Sequence, residues 1–485
     1  MIKRVLLCVL CALLGAILAG LAGFIALGVS GKPDLKPWHT AALREEFTRA
    51  DSEKVTTLEA YRQLEDRLFE ELKREVYQHT DAANQGALNR YTAGSRADPM
   101  SYPENFNRTF ELASDAPRAG VLLIHGLTDS PYVFRALAQK LHDRGCWVVA
   151  LRLPAHGTAA AALTTVDWRD WAAAVRMAAT DLKRRLPSQT PFYMMGFSTG
   201  AALSVEYSLA RLEGEKTPAP DGLVLLSPAI GVDPLAFLAV WQERMSMLPG
   251  LGKMAWLDLI PEYDPYKYNS FPVRAGREIY ELTQMIDERL TRLSAKGPVT
   301  GFPRTLVFQS VADATVSPRA VVQHFLGRLA AEGHELVVYD RNRRAEADSF
   351  LSPGVRDVAD QLLTGEERPF GVTLLTNESD TSSALVARRR ASHGATEPDV
   401  ALGLAWPPGM FSLSHLALPV APDDPIYGAT RPAGSGSVYL GRVEVLGEQG
   451  LLAIPASTVL RLRFNPFFAY EETRIEQFLS LSAAQ

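Results

Sequence analysis

The chain has 485 residues, 47% hydrophobic and 22% charged, with a formal net charge of −5. That length holds one large catalytic domain with additions, or two to three small domains. The acidic balance, with no basic block longer than Arg388-Arg389-Arg390, argues against a nucleic-acid partner. Cys8, Cys11 and Cys146 permit no disulfide framework, and no Cys/His cluster has zinc spacing, so neither a metal nor another cofactor is expected.

No charged residue stands between Arg4 and Lys32, and residues 5–29 are nearly all Leu, Val, Ala, Ile and Gly. As a helix this run is about 37 Å long, enough to cross a ~30 Å hydrocarbon core with some tilt. It is too long for a signal peptide, and Gly-Val-Ser-Gly-Lys-Pro after it is a poor cleavage site. Residues 1–31 therefore read as a transmembrane anchor, with a cleaved signal or a buried helix as alternatives. Lys3 and Arg4 ahead of the span, against Lys32 and Lys36 behind it, weakly favour a cytoplasmic N-terminus and a catalytic domain on the outer side.

Residues 32–104 follow as juxtamembrane material. Pro33, Pro37 and mixed charges over 33–50 suggest a linker. Leu58, Tyr61, Leu64, Leu68, Leu72 and Val76, three or four apart, predict an amphipathic helix within 55–78. That helix packs on the catalytic body or, alternatively, binds a partner. Residues 80–104 read as loop.

From about residue 105 to the end, short apolar runs alternate with helical periodicity. Strands are predicted at 108–112, 120–124, 147–153, 192–196, 222–226, 305–309 and 335–339, and helices at 131–143, 167–186, 199–213 and 317–331. This alternation specifies a mostly parallel sheet with helices on both faces. Residues 233–300 are too long for a connection and too aromatic for a disordered loop. Residues 341–410 are charged and rich in Gly, Pro, Ser and Thr, with strand-like pieces at 372–375 and 384–387. A final helix is predicted at 467–481.

Gly196-Phe197-Ser198-Thr199-Gly200 sits between an apolar strand and a small-residue helix. A tight strand-to-helix turn of this kind holds a serine hydroxyl clear of the backbone, where it can act as a nucleophile. Such a serine needs a histidine base, a carboxylate to orient it, and N–H groups aimed at the oxyanion. The strand at 120–124 ends in His125-Gly126-Leu127-Thr128, and the next in Leu153-Pro154-Ala155-His156-Gly157-Thr158. Together these motifs resemble the α/β-hydrolase superfamily, nearest its carboxylesterases and monoacylglycerol-lipase-like serine hydrolases, over about residues 108–340 and, more weakly, 411–483. Ala155 departs from the glycine usual in that turn.

The resemblance implies an α/β-hydrolase fold with a cap at about 233–300. It places the oxyanion hole at the amides of Leu127 and Thr199 and the acid at Asp313, in the loop before Ser317-Pro318; Asp340 is the rival. This fold supplies its residues in the order Ser, acid, His, so His125 and His156 order loops instead of acting as bases. Of the later histidines, His324 lies in a helix, His334 is at the amino edge of the sheet, and His393 is in a polar loop. His415, in the apolar stretch 410–419, is therefore the expected base, with His393 as the rival. Residues 341–410 then form an insertion between acid and base, longer than this fold usually shows. The expected function is a membrane-anchored serine hydrolase cleaving carboxylic esters with an apolar acyl group through an acyl-enzyme. Its partners would be a small ester or lipid-like substrate and the membrane itself. A peptidase or thioesterase of the same fold, and a non-catalytic binding module, are the alternatives.

Overall fold

The computed structural model describes residues 2–29, 31–81, 85–231, 244–246, 248, 250–344, 353–364, 367–434, 436–442 and 460–481. Its strands, in chain order, are β1 (Phe110–Leu112), β2 (Ala119–Ile124), β3 (Cys146–Leu151), β4 (Phe192–Phe197), β5 (Gly222–Leu226), β6 (Trp256–Asp258), β7 (Phe271–Pro272), β8 (Thr305–Ser310), β9 (Glu335–Tyr339), β10 (Gly371–Asn377), β11 (Ala384–Arg390) and β12 (Val400–Ala405). β6 and β7 form a separate two-stranded ribbon. The others make one ten-stranded sheet in the order β1-β3-β2-β4-β5-β8-β9-β10-β11-β12. It is parallel from β3 through β10, with β1 antiparallel at one edge and β11 and β12 antiparallel at the other.

β2 and β4 are buried along their whole length, as strands covered on both faces must be. Successive side chains alternate between two apolar layers. Leu122, Val149 and Met194 pack on one side with Trp171 and Leu203, and Val121, Val148 and Met195 pack on the other with Phe134, Leu137 and Ile475. The β2–β4 junction is where the order of winding reverses, the place at which open sheets of this kind bind ligands.

Several expectations are corrected. Residues 33–50 are not a free linker, because Trp38 and Phe47 are buried. The next helix, Leu58–Glu75, is capped by the Thr57 hydroxyl, which accepts from the Ala60 amide at 3.1 Å, and it buries Tyr61, Leu68 and Leu72. Between them these two pieces supply Glu46 and Glu65 to Arg152, whose side chain is wholly buried, at 3.1 and 2.9 Å. A buried guanidinium is tolerated only with such partners.

The expected helix at 317–331 is instead a short turn at Pro318–Ala320, a π-turn at Val321–Phe325 and a 3-10 turn at Leu326–Arg328. The wide π-turn lets the adjacent Phe325 and Leu326 both bury. Residues 341–410 are more regular than their composition suggests, containing helix Pro353–Thr364 and three sheet strands. Within the predicted cap, Trp241 and Met247 lie outside the described residues. Its latter part is the long helix Val273–Leu293, which buries Leu282, Ile286 and Leu290 in the main core and so belongs to the body.

The N-terminal run forms helix Ile2–Val29. Val5, Leu6, Leu10 and Leu14 are each more than half exposed, and part of the run lies outside the residues whose side chains are described. Among the described residues no helix is long and apolar enough to cross a membrane, so the expected span is not supported there.

The C-terminal helix Phe468–Phe478 carries Glu471 into the core, where its carboxyl accepts from Tyr339 Oη at 2.9 Å and Asn465 Nδ2 at 3.1 Å. Burial pushes its pKa up from 4.5 to about 8. A carboxyl whose pKa is raised by folding stabilises the fold below its unfolded pKa, and that contribution is lost as pH rises through the folded value. Glu471 should therefore contribute a loss of stability between pH 4.5 and about 8. Glu471→Gln should flatten that slope, as read from urea midpoints across the range.

Candidate active site

Ser198 stands between the end of β4 and the helix Thr199–Leu212, with φ 53° and ψ −111°. A non-glycine residue in this region costs roughly 1–3 kcal/mol and persists only where its surroundings hold it. Here the Ser198 amide donates to the Leu226 carbonyl at 2.9 Å, and its own carbonyl accepts from the Ala202 and Ala229 amides, each at 3.1 Å. The flanking glycines are present for lack of room. A Cβ on Gly196 would lie 2.3 Å from the Ala201 nitrogen, and one on Gly200 would lie 1.9 Å from the Ile124 carbonyl oxygen.

That second contact brings the helix start against the loop leaving β2. Leu127 lies on this loop and Thr199 opens the helix; among the described residues neither amide is hydrogen-bonded. Thr128 follows with φ 65°. His125 is buried and committed to structure: Nδ1–H donates to the Gly126 carbonyl at 2.8 Å, and Nε2 accepts from the Leu153 amide at 3.0 Å. Burial, and then the neighbouring His156, hold its pKa well below the usual imidazole range. His156 donates to the Pro154 carbonyl at 2.9 Å, and burial lowers its pKa to about 3.

Asp313 lies in the loop after β8. One carboxylate oxygen accepts from the Thr315 and Val316 amides at 2.8 and 2.9 Å. The other accepts from Gln309 Nε2 at 3.0 Å and from His415 Nδ1 at 2.8 Å. Burial alone would raise its pKa, but the bond to His415, that ring's charge and the two amides outweigh it and hold the carboxyl below its usual range. His415 opens a 3-10 turn, His415–Ala417, and its ring centroid is 5.0 Å from that of Phe197, next to Ser198. Leu413, Ala417 and Leu418 are fully buried, and the Leu413 carbonyl accepts from Ser310 Oγ at 2.7 Å. With Nδ1 bound to Asp313, Nε2 is the nitrogen left to act as a base.

The other candidates stand elsewhere. His393 is exposed beside Glu367 on the turn between β11 and β12, and His324 faces Asp287. His334 is buried, which lowers its pKa to about 4. The Asp340 carboxylate is held by Arg343 and Thr376, each at 2.7 Å. Sequence reasoning missed Gln309, whose signal was an amide in an otherwise apolar strand. It also missed a small cleft beside Leu416, with a volume of about 30 Å³, lined by Tyr132, Tyr266, Tyr427, Lys267 and Arg463. No local spacing links those residues.

Since a Cβ on Gly200 meets main chain, which cannot swing aside, Gly200→Ala should destabilise the protein by roughly 3 kcal/mol. Urea unfolding would show this as a lowered midpoint at unchanged slope.

A family model described as serine aminopeptidase, S33, matches residues 115–343, which include Ser198 and Asp313 but stop short of His415. The chain is 30% identical over 206 residues to the thermostable monoacylglycerol lipase of Bacillus sp. (strain H-257), across 41% of this chain and 72% of that one. Similar solved structures include one from work on LipS and LipT, two metagenome-derived lipolytic enzymes (24% identity, TM-score 0.38, 48% of this chain and 87% of that chain). Another is the monoacylglycerol lipase of Paleococcus ferrophilus (17% identity, TM-score 0.36, 48% of this chain and 88% of that chain). With a strained serine at the switch point of a parallel sheet and this relationship to a curated lipase, the chain belongs to the α/β-hydrolase superfamily, in its monoacylglycerol-lipase-like group, and is a serine hydrolase of the esterase/lipase type.

Proposed function

We propose that this serine hydrolase cleaves carboxylic esters with an apolar acyl group and is held to a membrane by residues 1–31. In this reading Ser198 Oγ attacks the ester carbonyl while His415 Nε2 takes its proton. Asp313 holds the ring and stabilises the imidazolium, and the Leu127 and Thr199 amides bind the oxyanion. His415 then protonates the departing alcohol, leaving an acyl-enzyme. Water activated by the same imidazole releases the acid and restores Ser198. The 2.8 Å bond between His415 and Asp313, formed beside the strained Ser198, is the observation that carries this reading.

An ester is favoured over a peptide amine terminus by the charges in the cleft. A substrate ammonium needs a free carboxylate, yet Asp129, which lines the cleft, is paired with Lys267 at 2.8 Å. The curated relative's name, monoacylglycerol lipase, supports a lipid-like ester. The anchor is supported by the charge-free run between Arg4 and Lys32 and by the exposed leucines of its helix.

Ser198→Ala should abolish both ester hydrolysis and fluorophosphonate labelling. His415→Ala should lower kcat by about 10³–10⁶ with little change in KM, whereas His393→Ala should change kcat by less than about tenfold. Measured on one p-nitrophenyl ester, the reverse ranking of the two histidines would show that the base is misassigned.

Removing residues 1–31 should give a soluble protein that still hydrolyses short-chain esters. A folded but inactive product would mean that the N-terminal run contributes to the site.

A further inference from the structure

Besides Ser198 and Ser227, whose φ is 41°, non-glycine residues near the site that hold left-handed backbone include Thr128 with φ 65° and Ala155 with φ 67°. Neither side chain favours that conformation, and a β-branched threonine does so least. Both are fastened by one residue of the segment leading to the ribbon strand β7. Tyr268 donates its amide to the Thr128 carbonyl at 2.9 Å. Its hydroxyl donates to the Ala155 carbonyl at 3.2 Å and accepts from the Thr158 amide at 2.7 Å.

The other side of Ala155 is held from the N-terminal segment. The Ala155 amide donates to Glu46 Oε2 at 2.9 Å, and Thr158 Oγ1 donates to Glu46 Oε1 at 3.0 Å. The 153–158 turn in turn braces the loop after β2, because the Leu153 amide holds His125 and His125 holds the Gly126 carbonyl. Tyr268 thus meets the loop that carries Leu127 directly, and Glu46 meets it through the turn.

We propose that Tyr268 and Glu46 are positioning residues for the hydrolysis, fixing the strained 126–128 loop so that the Leu127 amide points at the developing oxyanion. This rests on the assignment of Ser198 as nucleophile and Leu127 as oxyanion donor. Oxyanion donors act only when pre-aimed, and a misplacement of about 1 Å can cost roughly a hundredfold in rate. Glu46 lies outside the stretch matched by the family model, so part of the catalytic geometry is supplied by a segment the family motif does not contain.

The experiment uses the full chain, with kcat and KM on p-nitrophenyl butyrate expressed per fluorophosphonate-labelled site. Tyr268→Phe removes only the hydroxyl and keeps the ring and the main-chain bond to Thr128. It should lower kcat per labelled site about ten- to a hundredfold with KM within about twofold, and Glu46→Ala should do the same. Adding Ala155→Gly to Tyr268→Phe should recover most of the loss, because glycine adopts the turn without strain. A kcat per labelled site within about twofold of the parent for both single variants would overturn the proposal, even if less protein folds, since that is what a merely structural role produces. A lack of rescue by Ala155→Gly would overturn it as well. If the parent protein is not labelled at Ser198, the nucleophile assignment has failed instead, and that is read separately.

Discussion

Between β2 and β4 the chain reverses its direction of winding, and the helix that begins at Thr199 starts in the gap so created. Its first turn lies against the Ile124 carbonyl with no space for even a methyl group at Gly200. This close approach forces Ser198 into its left-handed conformation and brings the amide of Thr199 beside the loop after β2. The lengthy hydrogen bonding around the elbow, from Leu226, Ala202 and Ala229, offsets strain that the steric fit makes unavoidable. Relaxing the fit would remove the reason for the strain and would also part the two loops.

Asp313 and His415 are organised differently. Asp313 accepts from four donors, three of them on its own loop and strand and the fourth the imidazole of His415. The carboxylate is therefore positioned by local turns, while the histidine is delivered by a distant segment docked through Leu413, Ala417 and Leu418. Apolar burial sets where that segment lies, and a single charged hydrogen bond sets how the ring faces. The cleft beside Leu416 adjoins the docked segment, and its tyrosines and its Arg463 come from four separate stretches of the chain.

The central sheet was legible because buried parallel strands are continuous apolar runs, and the elbow because its glycines are sterically required. The pairing of Asp313 with His415 was within reach for related reasons: one follows such a strand, and the other stands in an apolar stretch where a loop histidine is out of place. What failed was whatever depends on partners far along the chain. β12 was hidden because Gly403, with φ 66°, interrupts its extended backbone, and its faintly alternating Leu402 and Leu404 are only partly buried in a run with no polar residue to mark the period. The mixed charges of 33–50 looked solvated, yet Glu46 closes on a guanidinium more than a hundred residues away. The same holds for Gln309, whose amide reads as a flaw in a strand until the carboxylate it serves is in view. The N-terminal run remains the converse case: its pattern is plain, but the described residues do not include a spanning helix.

The late position of His415 bears on how the protein is made. Chains emerge from the N-terminus at about 5–20 residues per second, and folding follows in that order. Sheet strands β2 through β9 and the serine elbow are all synthesised before the 410–418 segment and the helix Phe468–Phe478, against which the sheet closes through Tyr339 and Glu471. Until then Asp313 has no imidazole beside it, and the part of one sheet face that Phe468 and Ile475 cover is open. With the roles proposed for Ser198 and His415, a nascent chain would carry its serine unarmed through most of its own synthesis, its hydrolytic power withheld until the last segment seals the core.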